Sequence, residues 1–201
     1  MLFRSLLADV PNFAAQIDAQ LAKAMAVKLD LAGLYGAGIG SEPQGLRNNS
    51  DVNEISMGTN GAAQASYDDL LTLLQKIWEH NVTPTAMVQS PRSAIKLQKL
   101  VTGLVGDLTK LEQPDDLDTL TQMVSNQISI TETQGSSSAA STTFMGDFTQ
   151  IAFAIRQAIQ IEASRVSDTA FSKNQTLIRA ILRADIAIYR PTAFGRLVGI
   201  L

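Results

Sequence analysis

The longest amphipathic pattern of the chain spans residues 9–30. Apolar side chains recur there at three- and four-residue spacing, which is the period of an α-helix with one apolar face. Asp9 can cap the first turn, and Pro11 falls where a missing N–H costs nothing. The pattern therefore predicts a long helix that ends before Gly33. Its apolar face comprises Val10, Ala14, Ile17, Leu21, Ala24 and Met25.

A second helix is predicted over residues 67–80, because a leucine-rich stripe with helical spacing runs through them. Ser66 and Asp69 resemble a capping box at its start, with Asp in place of the usual Glu. The stripe residues are Leu70, Leu73, Leu74, Ile77 and Trp78.

Shorter elements are predicted on either side of this helix. Residues 52–57 are a candidate for a short strand, and residues 85–89 form an apolar run typical of a buried strand. Ser90-Pro91 is typical of a helix start and predicts a third helix that ends near Gly103.

The clearest strand pattern lies over residues 178–188. Apolar positions alternate with mixed ones at a period of two, and the pattern ends at Pro191, which cannot donate to a ladder. Leu182 is predicted to face a buried layer, so replacing it with Asp is expected to cost several kcal/mol. The apolar face comprises Ile178, Ala180, Leu182, Ala184, Ile186 and Ile188.

The remaining segments carry weaker patterns. Residues 103–117 are predicted as a charged loop, residues 120–130 as extended, and residues 133–142 as a low-complexity loop with little to bury. Residues 151–162 predict two short strands around Arg156–Gln157. Helices and strands alternate irregularly and no internal repeat is visible, so the predicted class is α+β.

The composition favours a protein that buries part of its surface against neighbours. Of the 201 residues, 45% are hydrophobic and only 17% are charged, which is below the usual quarter. Interfaces are depleted in charge at their cores, although an ordinary alanine-rich globular protein fits the same numbers. The chain has no cysteine, which excludes disulfides and thiolate catalysis.

Charge and hydropathy exclude two classes of partner. A net charge of −3 without a basic block leaves no electrostatic footprint for binding a phosphate backbone. No apolar run reaches the ~18 residues that a bilayer requires. The first seven residues lack the apolar region and cleavage site of a signal peptide, so a soluble chain with no membrane partner is expected.

A glycine-dense stretch is the first candidate for a binding site. Its turn-forming residues are Gly36, Gly38, Gly40, Pro43 and Gly45. A dinucleotide loop follows a strand and opens a helix, so that the helix N-terminus meets the phosphates. Here a helix precedes the loop and a strand follows, which favours a structural turn. The rival enzyme hypothesis requires a concave pocket with convergent polar groups beside this stretch.

The other candidates for catalysis or metal binding have little support. His80 is the only histidine, and no Gly-x-Ser-x-Gly pattern accompanies it. One histidine without cysteine does not make a metal site. Asp115, Asp116 and Asp118 lack the glycine and distal Glu of a calcium loop, which favours a solvated acidic loop. No enzyme activity, cofactor, metal or small-molecule substrate is therefore predicted.

Taken in order, these features resemble the major capsid proteins of tailed bacteriophages, the family with the Hong Kong 97-type shell fold. Each motif alone is weak, but their order and spacing over most of the chain make the resemblance specific. The motifs are the long helix followed by Gly36–Asn48, the segment Trp78, Asn81 and Ser90-Pro91, the step Gly146-Asp147-Phe148, and the run from Phe171 and Asn174 through Arg183 to Tyr189-Arg190-Pro191 and Phe194.

The resemblance implies two domains in a Hong Kong 97-like fold. Residues 1–52 and 149–188 would form a peripheral domain with a long spine helix and long β-strands. Residues 53–148 and 189–201 would form an axial domain with a mixed sheet flanked by helices. Members usually carry an N-terminal arm and an extended hairpin before the spine helix, and both are expected to be absent here.

The resemblance also gives the two short motifs a structural role. The turn motif comprises Gly36, Gly38, Gly40, Pro43 and Gly45, and the C-terminal motif comprises Tyr189, Arg190 and Pro191. Arginines of the C-terminal third are expected to pair across subunits in an assembly. They are Arg156, Arg165, Arg179, Arg183, Arg190 and Arg196.

The implied function is that of a structural subunit of a phage or prophage icosahedral capsid. Its partners would be copies of itself in pentamers and hexamers, with packaged double-stranded DNA enclosed but not specifically bound. It would reside in the virion capsid, after assembly in the bacterial cytoplasm or as a prophage product. A shell protein of a cellular encapsulating nanocompartment shares this fold and is the alternative.

Overall fold

The computed structural model describes residues 13–102, 109–164, 166 and 177–201. The chain divides into two compact units. The first comprises Met1–Gln44 and Phe153–Ala187, and the second comprises Gly45–Ala152 and Ile188–Leu201. Helices and a mixed sheet together confirm the predicted α+β class.

The first unit contains the predicted long helix, α1 (Phe13–Tyr35). The helix continues through Gly33 to Tyr35, five residues past the predicted end at residue 30. The predicted cap residues Asp9 and Pro11 lie outside the described residues. Its more buried positions follow one stripe at four-residue spacing, as expected for a helix that packs on a sheet. They include Ile17, Leu21, Met25, Leu29 and Gly33.

A two-stranded ribbon of β6 (Ile151–Ser164) and β7 (Leu177–Ile188) supplies the strands of this unit. The strand predicted over residues 178–188 is therefore confirmed. The prediction of two short strands over residues 151–162 is wrong. Arg156 and Gln157 do not interrupt the period-two alternation, so one strand continues through both.

The second unit is built on a six-stranded mixed sheet. Its strands are β1 (Asn53–Ser56), β2 (Ala86–Gln89), β3 (Thr121–Val124), β4 (Glu132–Gln134), β5 (Ser137–Gly146) and β8 (Phe194–Ile200). They lie in the order β1-β8-β5-β2-β3, with β4 beside β5. The β1–β8 and β2–β3 pairs are parallel, and β5 is antiparallel to β2, β4 and β8.

Helix α2 (Asp68–Trp78) packs its leucine stripe on this sheet and forms the core of the second unit. Trp78 does not belong to the stripe, because its side chain is 47% exposed. The expected capping box is also wrong, since Ser66 Oγ accepts from Asp68 N at 3.2 Å and bonds the Asp68 carboxylate. The core combines Leu70, Leu73, Leu74 and Ile77 of α2 with Met87, Leu97, Met145 and Leu197.

Helix α3 (Pro91–Gln98) begins as predicted at Ser90-Pro91 and ends earlier than the expected Gly103. Ser90 caps it by accepting from the backbone N–H of Ser93 at 3.1 Å. The two hydroxyls lie 3.0 Å apart, and Ser93 Oγ lies 3.1 Å from Ser141 Oγ of β5. This buried chain of hydroxyls ties the helix start to the centre of the sheet.

The prediction of a loop over residues 133–142 is wrong, because β4 and β5 form a hairpin there. Ser141, Thr142 and Thr143 are fully buried. Ser141 Oγ donates to the carbonyl of Ile200 at 3.3 Å, and Thr142 Oγ1 donates to the Glu132 carboxylate at 2.8 Å. These hydrogen bonds offset the burial of the Ser141 and Thr142 hydroxyls, which is why residues with a loop-like composition can form a buried strand.

The segment before β3 also differs from expectation. Pro114 precedes a single helical turn, α4 (Asp115–Asp118), so these carboxylates do not form the predicted acidic loop. Leu117 of this turn is fully buried in the core. Only residues 121–124 of the extended stretch predicted over 120–130 form a strand. Part of the predicted loop 103–117 lies outside the described residues.

A short 3-10 turn, Phe148–Gln150, follows β5 and is capped by Asp147. The carboxylate of Asp147 accepts from Thr149 N at 3.1 Å, from Thr149 Oγ1 at 2.8 Å and from Gln150 Nε2 at 3.3 Å. Burial raises the pKa of Asp147, but these hydrogen bonds outweigh it and leave the pKa below its ordinary value.

Replacing Asp147 with Ala is expected to lower the free energy of unfolding by about 1 kcal/mol at neutral pH, as for other caps. Because the folded pKa is depressed, this contribution is present above the unfolded pKa of about 3.9 and is lost as the pH falls through the folded value. Denaturant unfolding of both proteins across this range measures it. The two proteins should converge in acid, and a difference that is independent of pH would contradict the role of the charge.

Candidate assembly surfaces

The glycine-dense stretch forms a tight turn at the C-terminal end of α1. Gly36 N donates to Ala32 O at 2.8 Å, which closes the helix, and Ala37 then forms an antiparallel bridge with Gln44. Gly38 N donates to Pro43 O at 3.2 Å across this turn. Gly38 and Gly40 have φ values of +68° and +69°, which favour glycine.

The geometry of this turn does not favour anion binding. It follows a helix C-terminus, where carbonyl groups present the negative end of the helix dipole. Residues 37–42 are exposed. The last turn-motif residue, Gly45, is buried and precedes a 3-10 turn, Leu46–Asn48, in the second unit. The turn is therefore suited to a structural role rather than to phosphate chemistry.

The C-terminal motif lies where β7 ends. Tyr189 is 72% exposed, and its N–H donates to Gln150 O at 2.9 Å. Arg190 donates to the backbone carbonyl of His80. Pro191 begins a 3-10 turn, Pro191–Ala193, that leads into β8. The motif thus fixes the path of the chain into β8, which lies between β1 and β5 in the sheet.

The described residues contain no group of three or more His, Asp or Glu side chains placed to hold a metal ion. His80 lies just after α2 and contributes its carbonyl, not its ring, to the contact with Arg190. A groove of about 420 Å³ lies on the ribbon and is lined partly by Arg156, Arg183 and Asp185. No helix in the described ranges is long and apolar enough to cross a bilayer.

Two of the arginines expected to pair across subunits have carboxylate partners within the chain. Arg196 is 9% exposed and donates from Nε to the Glu54 carboxylate at 2.7 Å. Arg179 lies 2.6 Å from the Glu162 carboxylate across the ribbon. For Arg196 the expectation is wrong, because its side chain is buried and a neighbouring strand supplies the carboxylate. The Arg179 side chain is 70% exposed, so its pairing across subunits stays a prediction. Arg165 lies outside the described residues.

The ribbon has one polar and one apolar face. The Arg179–Glu162 ion pair places the even residues of β6 and the odd residues of β7 on one side. The other side carries an almost unbroken apolar row from both strands. A methyl group at Gly33 of α1 would lie 3.5 Å from Ile186 of this row, so the helix packs on the apolar side.

Much of this apolar face remains accessible in the single chain. Phe153, Ile155 and Ile159 are 48%, 59% and 39% exposed. The prediction that β7 has one apolar face is supported, since Ile186 is buried there, but Leu182 is only half-buried. The cost of Asp at Leu182 in an isolated chain is therefore smaller than for a fully buried site. A two-stranded ribbon is marginal alone, which makes this surface suited to a protein neighbour.

Comparison with known proteins identifies a family. The sequence model described as "Phage capsid family" matches residues 3–199. No curated protein matches the sequence significantly.

Solved structures share the fold at low sequence identity. One is the "Capsid of empty GTA particle", with a TM-score of 0.70 and 16% identity, covering 99% of this chain and 70% of that one. Another is from Mycobacterium phage Ogopogo, with a TM-score of 0.67, 16% identity and coverage of 96% and 70%. The holo-SrpI encapsulin complex from Synechococcus elongatus PCC 7942 has a TM-score of 0.61, 12% identity and coverage of 98% and 70%.

Proposed function

The chain belongs to the phage capsid family and is a structural subunit of a capsid shell; on that premise we propose that it acts by self-assembly into pentamers and hexamers. The observation that carries this proposal is the family match, which extends over residues 3–199. The accessible apolar face of the ribbon supports it, because a shell subunit must bury such surface against its neighbours.

We propose that the first unit corresponds to the peripheral domain and the second to the axial domain. The division at residues 44/45, 152/153 and 187/188 lies close to the boundaries that the resemblance implies. The long helix and ribbon of the first unit fit a spine helix with long strands. The mixed sheet with α2 and α3 fits a domain that approaches the symmetry axis.

The family and the structural neighbours are structural proteins, and the chain is proposed to have no catalytic activity. Each subunit contact can be weak, because closed symmetry repeats it many times. Packaged double-stranded DNA is proposed to be enclosed without specific binding, since the net charge is −3. Assembly is proposed to occur in the bacterial cytoplasm and to deliver the subunit to the virion capsid.

A nanocompartment shell is the second candidate, because an encapsulin shares the fold with a TM-score of 0.61. The GTA and Ogopogo matches have higher TM-scores of 0.70 and 0.67, which favours the capsid proposal. The two functions differ in what the shell encloses. Particles purified from the native host should contain nuclease-protected DNA if the chain serves a capsid and a protein cargo if it serves a nanocompartment.

The test of self-assembly is the mass of the purified chain across a concentration series. Multi-angle light scattering and negative-stain microscopy should detect rings or larger particles whose mass is a multiple of 21.6 kDa. Assembly should persist at high salt, because the ribbon face is apolar and screening weakens only charge contacts. A chain that stays monomeric at every concentration and salt would overturn the proposal.

A further inference from the structure

The strand β3 lies at one end of the six-stranded sheet and has β2 as its one strand neighbour in the described part of the chain. Thr121 N donates to Thr85 O at 3.1 Å, and Ser125 N donates to Gln89 O at 3.0 Å. Because backbone groups of a strand point alternately to its two sides, those of Gln122 and Val124 point outward. The edge therefore presents two N–H and two C=O groups for strand pairing.

The side chains of β3 do not guard this edge. All four residues of Thr121–Val124 are exposed, and Met123 and Val124 are 51% and 55% exposed. No charged residue and no proline occurs between Asp118 and Glu132. Natural edge strands that face solvent are usually protected by Lys, inward-pointing charge, proline or a bulge.

The opposite edge of the same sheet carries that protection. In β1, Met57 N donates to Val198 O at 2.9 Å, so the alternation turns the backbone of Glu54 outward. The outward carbonyl of Glu54 accepts from Lys76 Nζ at 2.9 Å. The Glu54 carboxylate is held by Arg196 at 2.7 Å. One sheet thus has a charged, occupied edge at β1 and an uncharged, open edge at β3.

We propose that β3 is a site of strand addition, at which an extended segment of a second copy of this chain pairs with its outward backbone groups. The inference deepens the proposed self-assembly and rests on it. A second copy is the favoured occupant because relatives of the chain are subunits of capsids. Because the edge has no charged side chain, it cannot form ion pairs with an acidic or a basic partner. Recognition therefore comes from main-chain hydrogen bonds and apolar contact.

Hydrogen exchange distinguishes strand addition from simple packing of side chains. In assembled particles, the amides of Gln122 and Val124 should exchange at least about tenfold more slowly than in dissociated subunits, which corresponds to a hydrogen bond worth about 1.4 kcal/mol or more. The amide of Thr121 already bonds within the chain and serves as an internal reference. Outward amides that exchange equally fast in both states would overturn the inference.

The substitution Val124→Pro removes one outward N–H and leaves the inward ladder to β2 intact, as proline is tolerated at strand edges. It should raise the concentration needed for half-assembly by about tenfold or more. The matched control Val124→Thr keeps the N–H and the branched shape and should assemble like the parent. The melting temperature and circular dichroism of the Pro variant should show that the subunit still folds.

The chain has no cysteine, so a single Val124→Cys variant provides a second measurement with no background thiol. Val124→Cys is assembled together with a second variant that carries one cysteine on another exposed strand, and the particles are then oxidised. A disulfide between the two variants should form through position 124 if the second strand lies beside β3. A parent that never assembles overturns the proposed function together with this inference. A parent that assembles while Val124→Pro assembles equally well, with unprotected outward amides, overturns strand addition alone.

Discussion

Replacing Arg196 with Ala is expected to lower the free energy of unfolding by about 2–4 kcal/mol, because it removes a buried guanidinium group and leaves its hydrogen-bond acceptors without a donor. Urea denaturation of the parent and the variant, followed by circular dichroism, measures this difference. The loss should appear as a lower denaturation midpoint with little change in slope, because the variant unfolds from the same compact fold.

The expected size of this effect follows from the contacts of the guanidinium group. Nε donates to the Glu54 carboxylate at 2.7 Å. A second nitrogen, Nη1, lies 2.9, 2.7 and 2.8 Å from the carbonyl oxygens of Leu46, Arg47 and Asn49, which share its two hydrogens. The side chain thus closes the 3-10 turn at residues 46–48 and anchors it to β8. Alanine would leave three carbonyl groups and a carboxylate without their donor.

A lysine variant tests whether geometry or charge carries this role. Arg196→Lys keeps the charge but replaces the planar fork with a compact ammonium that cannot reach both sets of acceptors in the same way. It should therefore recover only part of the loss.

Arg179→Ala is the matched control for this prediction. Arg179 also pairs with a carboxylate on a neighbouring strand, but the two side chains are 70% and 50% exposed. Exposed pairs contribute about 0–1 kcal/mol, so this variant should unfold close to the parent. Equal losses for Arg196→Ala and Arg179→Ala would show that the buried contacts of Arg196 do not stabilise the fold as inferred.

Sequence patterns correctly predicted the elements that bury one face against other parts of the same unit. The stripe of α2 and the alternation of β7 follow the helical and strand periods because one face of each is turned towards other parts of its own unit. Trp78 is the exception in α2, where the stripe was extended one residue too far. The fold class and the capsid family could be predicted in this way, since the motifs occur in the right order.

The elements that were mispredicted depend on partners far away in sequence. β5 consists largely of Ser, Thr and Ala, and its burial becomes favourable only through hydrogen bonds such as that of Ser141 to Ile200. The role of Arg196 depends on carbonyls about 150 residues earlier in the chain. The adjacent Thr142, Thr143 and Phe144, which favour strands, were the available signal for β5.

The candidate assembly surfaces could be predicted only in part. The odd residues of β6 are apolar from Ile151 to Ile161 apart from Gln157, but their exposure depends on what the rest of the chain covers. The open edge at β3 had a signal in the sequence, the uncharged run between Asp118 and Glu132. The uncharged run indicates an unprotected strand edge only when the sheet order is known, because that order places β3 at the end of the sheet.

The turn motif yields a matched pair of glycine substitutions with opposite expected results. A Cβ atom at Gly36 would lie 2.1 Å from Pro43 O and 2.5 Å from Ala32 O, and both are backbone atoms that cannot move aside cheaply. Gly36→Ala should therefore detach the turn from the helix end and lower the free energy of unfolding by about 1–3 kcal/mol, as overpacking does.

Gly40 is the control, because a Cβ atom there meets nothing within 4 Å. Its φ of +69° costs alanine only the left-handed strain of about 1 kcal/mol. Thermal melts should rank the proteins as parent, Gly40→Ala and then Gly36→Ala, and limited proteolysis should cut the Gly36 variant faster within residues 37–44. If Gly40→Ala is the less stable of the two, positive φ rather than close approach dominates the turn, and the structural role inferred for Gly36 is wrong. If the order holds, the glycine at the end of the helix is required for the backbone contact itself, which a phosphate-binding role would not demand.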